Sequence, residues 1–178
     1  NVDYPHFKGV RIREIWEGDI KYKNNQFLLN MKNRYSPIPS FLSINFDSNL
    51  KLDNVSFSRL FNSNKGSIEV FKENNSYIWE AKNFPLDELE LSIGNNQFDR
   101  IEGIINGSGS INSEQPYLDG RLAWSLGKYR NIKLANSLFD FSFNDNSFYV
   151  NSSLYPIDGG IIEVDYDSNK NNLINLDF

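Results

Sequence analysis

The stretch Phe139-Asp140-Phe141-Ser142-Phe143 sets a phenylalanine at every second position, with Asp140 and Ser142 between them. Successive side chains of an extended strand point to opposite faces, so this run reads as a strand with one aromatic and one polar face. Asp145-Asn146 then reads as a turn, and Phe148 and Val150 resume the alternation on the return. Three phenylalanines on one face need a large apolar partner. A second sheet and a ligand with long hydrocarbon chains both satisfy that need.

The same period runs outward in both directions. Leu118, Leu122, Trp124 and Leu126 share one strand face, and Ile132 and Leu134 follow. Ile101, Ile105 and Ile111 share a parity with Gly103, Gly107 and Gly109. Earlier, Ile20/Tyr22, Phe27/Leu29/Met31, Leu42/Ile44/Phe46, Ile68/Val70 and Tyr77/Trp79/Ala81 alternate with polar residues. Asn24-Asn25, Pro37 with Pro39, Asn74-Asn75 and Gly94-Asn95-Asn96 break the runs. Later, Gly159-Gly160 precedes Ile162, Val164 and Tyr166. Helical signals are confined to Pro85-Leu86-Asp87-Glu88-Leu89, with Pro first and acids after it, and to Phe57–Phe61.

The expectation is an all-β antiparallel fold of roughly a dozen short strands joined by tight turns. That many strands in one sheet curl or close. A small barrel, a sandwich and an elongated, strongly curled sheet all fit the periodicity. The chain opens on Asn1 and stops inside an alternating run at Phe178. This is the expected look of one segment, residues 1–178, of a longer repeating β-structure, and it favours the elongated form. Open strand edges at such ends favour edge-to-edge self-association.

Composition narrows the function. Of 178 residues, 39% are hydrophobic and 15% aromatic, enough to bury apolar surface. The net charge of −5 argues against a nucleic-acid partner, which needs clustered Lys and Arg. With no Cys there are no disulfides, no thiolate catalysis and no Cys-type zinc site. One His, His6, leaves a Ser-His-Asp triad resting on a single residue near the start. The 26 Asn suit turns better than helix interiors. No window approaches the ~20 apolar residues of a membrane span, and no signal-peptide pattern opens the chain.

Candidate chemistry is sparse. Glu88/Glu90 and Asp165/Asp167 lie two apart on one strand face. A glycosidase holds such a pair about 5–9 Å apart across a cleft, but acids alternating with apolar residues read as the solvated face of a strand. Gly107-Ser108-Gly109 lacks the Lys-Ser/Thr of a phosphate loop and reads as a bend or a close backbone approach. Trp16, Trp79 and Trp124 with the tyrosines suit either a sugar-stacking platform on a β-sandwich or an ordinary core. Trp79 and Trp124 share parity with aliphatic neighbours, which favours the buried side. Neither a catalytic residue nor a cofactor or metal site is expected.

Three stretches in order resemble the TamB family of envelope proteins. They are Trp79-Glu-Ala-Lys-Asn-Phe-Pro-Leu-Asp-Glu-Leu89, Ile101-Glu-Gly-Ile-Ile-Asn-Gly-Ser-Gly-Ser-Ile111 and Pro116-Tyr-Leu-Asp-Gly-Arg-Leu122. The family's large C-terminal domain carries a Pro-Leu-x-x-Leu segment, then Gly-x-x-x-Gly-x-Gly-x-Ile, then x-Leu-x-Gly-x-Leu. The glycines here are Gly103, Gly107, Gly109 and Gly120. Leu154-Tyr-Pro-Ile-Asp-Gly-Gly-Ile-Ile-Glu-Val164 resembles the family's Gly-Gly-x-Ile-x-Val return. The likeness covers about residues 66–170, and its Asn-rich style is similar to cyanobacterial-type members.

The resemblance implies a β-taco, a sheet folded along its length around an apolar groove. It implies a periplasmic segment of an inner-membrane-anchored protein, with phospholipid in the groove and an outer-membrane barrel assembly partner. It also implies a role in inter-membrane lipid transport, in outer-membrane protein assembly, or in both. On this view the groove is lined by Ile101, Ile105, Ile111, Leu122, Trp124, Leu126, Phe139, Phe141, Phe143, Phe148, Val150, Ile162 and Val164. The alternative is a secreted β-sandwich that binds carbohydrate or another surface ligand.

Overall fold

The computed structural model describes residues 2–3, 6–7, 10–12, 15–23, 26–34, 38–61, 64–74, 76–87, 89–92, 98–112, 117–144, 147–169 and 173–177. Most of these are strand, the rest being turns, bends, one isolated bridge and short irregular links, and no helix occurs among the described residues. The strands are β1 (Val2–Asp3), β2 (His6–Phe7), β3 (Val10–Ile12), β4 (Ile15–Lys23), β5 (Gln26–Arg34) and β6 (Ser40–Phe46). Then come β7 (Leu52–Phe61), β8 (Asn64–Glu73), β9 (Ser76–Pro85), β10 (Leu89–Ser92), β11 (Phe98–Asn112) and β12 (Tyr117–Tyr129). The last are β13 (Ile132–Leu134), β14 (Ser137–Asn144), β15 (Ser147–Leu154), β16 (Ile161–Asp167) and β17 (Leu173–Asp177).

All belong to one sheet. Its body is an antiparallel meander, β4–β5–β6–β7–β8–β9–β11–β12–β14–β15–β16–β17. Short hairpins joining neighbours in sequence give this order directly. β10 continues past β9 along the same edge of β11, with Pro85 opposite Ile104 and Leu89 opposite Ile101. β13 continues past β14 along β12 in the same way. β1 pairs with β4 at the first margin of the meander, while β2 pairs with β3 and β3 with the outer edge of β10. A two-sheet sandwich is therefore not what the described residues form.

Local expectations fare unevenly. Asn74, first of the expected Asn74-Asn75 turn, has φ 55°, a left-handed conformation that Asn tolerates better than most residues. Phe57–Phe61 is not helical but lies in β7, because its side chains alternate against β6 and β8. Pro85–Leu89 does hold a single tight turn, the Leu89 amide donating to the Leu86 carbonyl at 2.9 Å. The expected turns at 24–25, 94–96 and 145–146, Pro37 and Glu88 lie outside the described residues.

The core sits at one end of the sheet, where β9 breaks into β10. Phe84, Leu86 and Leu89 are buried there, with Phe57, Ile68, Ile101, Ile105 and Trp124 packed on them. Trp16 on β4 and Ile38 before β6 are buried as well. The Trp16 and Phe57 rings lie 5.7 Å apart, and those of Phe57 and Phe84 5.0 Å apart.

Candidate apolar face

Cross-strand pairing turns the alternation of single strands into rows. One row runs Ile20–Leu29–Ile44–Val55–Val70–Trp79–Gly109–Gly120–Phe141–Val150–Tyr166, each residue directly opposite the next. The next row runs Gly18–Met31–Leu42–Phe57–Ile68–Ala81–Gly107–Leu122–Phe139–Ser152–Val164–Ile174. A third joins Tyr77, Ile111, Leu118, Phe143 and Phe148. The reverse face carries Asp19–Asn30–Ser43–Ser56–Glu69–Glu80–Ser108–Arg121–Asp140–Asn151–Asp165, polar throughout. Because side chains alternate with period two, a register that aligns one pair aligns the whole row.

The apolar rows hold most of the sequence-derived candidates. Leu122, Phe139, Phe141, Val150 and Val164 are half-buried within them, and Phe143 and Phe148 are exposed. Ile162, opposite Leu154 and Leu176, keeps the same parity. Ile101, Ile105 and Trp124 share the face but belong to the packed end around Phe84. Leu126 departs from the set: it is 74% exposed and has φ 53°. Two steps of β11, from Glu102 to Ile104, face three steps of β12, from Lys128 back to Ser125. That bulge breaks the parity that Leu126 would otherwise share with Trp124.

Two tryptophans lie along the apolar face. Trp79 Nε1 donates to the Asp119 carbonyl at 2.8 Å, and its ring stacks on Phe141 with centroids 5.8 Å apart. Glycine at 109 and 120 leaves room for that ring, since a Cβ at either would collide with it. Trp124 Nε1 donates to the Glu102 carbonyl at 3.0 Å and covers Gly103, whose φ of 120° disfavours any side chain.

Polar groups at the packed end were not foreseen. Arg59 is fully buried; its Nε donates to Ser40 Oγ at 3.2 Å and its terminal nitrogen to the Pro85 carbonyl at 2.8 Å. Its guanidinium lies over the Phe84 ring, 5.8 Å from the centroid. Glu90, expected on a solvated face, is buried, and its register neighbours on both sides are Arg11 and Arg100. Burial also raises the Asp87 carboxyl above its ordinary range, chiefly by desolvation. Asp165, by contrast, is exposed as expected.

The polar face carries ion pairs at Arg121–Asp140, Lys82–Glu80, Lys32–Glu17 and Lys21–Asp19. A cavity of about 600 Å³ opens there, lined largely by residues of polar parity such as Glu17, Asp19, Lys32, Phe41, Ser43 and Ser56.

In comparisons with known proteins, no family model, no curated protein and no solved structure matches this chain.

Proposed function

We propose that this is a segment of a TamB-like envelope protein whose apolar face shelters phospholipid acyl chains between two membranes. One observation carries the reading. Apolar rows extend across as many as twelve paired strands of one sheet, and among the described residues most of their side chains stay partly exposed. Contiguous apolar surface of this extent is costly in water, at roughly 25 cal/mol per Å², and invites association unless something occupies it. Hydrocarbon answers that need without any reacting group, so the role is passive rather than enzymatic.

The curled, taco-like form belongs to the same proposal. Adjacent strands lie about 4.8 Å apart, so the three steps from β4 to β7 span roughly 14 Å in a flat sheet. The Trp16–Phe57 centroid distance of 5.7 Å suits a sheet bent towards its apolar face. Only residues 13 and 14 separate β3, paired with β10, from β4, which is five strand steps from β9. A bent sheet brings those ends within reach. By the motif likeness, the location is the periplasm in an inner-membrane-anchored protein, with an outer-membrane barrel assembly partner.

The test is in-cell photo-crosslinking from Val150 on the apolar face and Asn151 on the polar face. The reading expects phospholipid adducts at 150 and none at 151. Folded protein with adducts at neither position would end it. The polar-face cavity beside exposed Phe41 favours the second reading, a module that binds carbohydrate or another surface ligand, and glycan binding lost on Phe41→Ser would support it.

A further inference from the structure

We infer that the apolar face is one-ended: a bound amphiphile points its chain towards Trp16, Phe57 and Phe84 and keeps its polar head at the opposite, hairpin end. This rests on the lipid-sheltering reading above and adds an orientation to it.

Exposure is graded along the strands. At the β9–β10 break, Trp16 is 2% and Phe84 1% exposed. Near the far ends of their strands, Tyr22 is 63%, Phe143 38% and Phe148 41% exposed. The ring contacts from Trp16 through Phe57 to Phe84 bring β4, β7 and β9 together, so a chain lying on the face meets a wall there. Arg59, a cation at that wall, is fully buried with its guanidinium turned to Ser40 and Pro85, and offers nothing to a headgroup.

Chemistry is graded in the same sense. The rings of Trp16, Phe57 and Phe84 gather at the wall. Tyr22 and Tyr77 stand nearer the hairpin end, as does Lys72, directly opposite Tyr77. An aromatic ring with a hydroxyl suits the boundary between chain and headgroup, as it does at a bilayer interface. An ammonium beside it suits a phosphate. From Ile105 at the wall to Ile111 near the rim is six residues, about 20 Å of strand at ~3.4 Å each.

Two photoactivatable phosphatidylethanolamine probes test this, one with a diazirine at the acyl terminus and one with it beside the glycerol. Each is presented to the purified chain in phosphatidylethanolamine–phosphatidylglycerol vesicles, and labelled residues are mapped by mass spectrometry. The terminal diazirine should label around Ala81, Leu122 and Phe139. The glycerol-proximal one should label around Tyr77, Phe143 and Phe148, a shift of two rows or roughly 13 Å. Identical or reversed distributions would overturn the orientation while leaving lipid shelter intact. Labelling absent from both probes, or confined to polar-face residues such as Asn151, would overturn both.

Discussion

The Trp79 indole occupies the space that a side chain at Gly120 would need. Its Nε1 reaches the Asp119 carbonyl on the same strand, so a hydrogen bond and a missing Cβ hold one ring flat across neighbouring strands. Gly120→Ala should therefore cost about 1–3 kcal/mol, the usual range for overpacking. In a Trp79→Ala background the same change should cost clearly less. Denaturant titration of all four proteins gives the coupling, and additive costs would refute the contact as its cause.

Trp16 and Trp79 are both buried, but only Trp79 has an acceptor for its indole among the described residues. Trp79→Phe strands the Asp119 carbonyl and should cost roughly 1–3 kcal/mol more than the lost ring area alone. Trp16→Phe removes an unsatisfied donor, and its cost should stay smaller. Comparing the two midpoints of thermal unfolding checks the ranking.

Arg59 bridges β6 and the end of β9 from a fully buried position. Arg59→Leu leaves the Pro85 carbonyl without that donor and should destabilise by roughly 2–4 kcal/mol. Arg59→Lys cannot reproduce two separated donors and should rescue little. Full rescue by Lys in urea unfolding would show that charge alone matters.

Leu126 combines φ 53° with 74% exposure, so it strains the backbone and buries little. Leu126→Gly should stabilise by about 0.5–1 kcal/mol, because a left-handed L-residue costs roughly 1–2 kcal/mol and glycine gives part of that back in chain entropy. A loss of stability in the same assay would mean that Leu126 packs on something not yet identified.

Asp87 gives a pH signature. Its carboxyl is raised by desolvation, so the folded state holds its proton more tightly than the unfolded one. Stability from this group is present below the unfolded value and falls as pH rises through the folded one. Asp87→Asn should thus gain most over wild type at neutral pH and converge with it in acid. Stability curves across pH 3–7 that stay parallel would exclude this assignment.

The alternation at Phe139–Phe143 was enough to reveal a two-faced strand, because period two is local. The shared face of Leu122, Phe139 and Val164 was legible for the same reason once hairpins linked neighbouring strands. Leu126 was not, since a bulge that shifts register by one residue leaves no mark in apolar spacing. Arg59 and Glu90 were not either. Arg59 is held by Ser40 and Pro85, and Glu90 lies between β3 and β11, neighbours that pairing brings from distant parts of the chain. The Trp79–Gly120 fit was half visible, as an in-strand glycine without its reason.

The row from Ile20 to Tyr166 also limits how such a chain can change its length. Removing one residue inside any strand would swap its two faces and put a carboxylate or serine where Phe141 stands, or a tyrosine or asparagine where Val150 stands, while neighbours kept their own parity. Length can vary freely only at the turns, or inside strands by two residues together. A hairpin copied whole, turn and all, would instead extend every row by two places without disturbing one existing pair, so this architecture widens by whole hairpins.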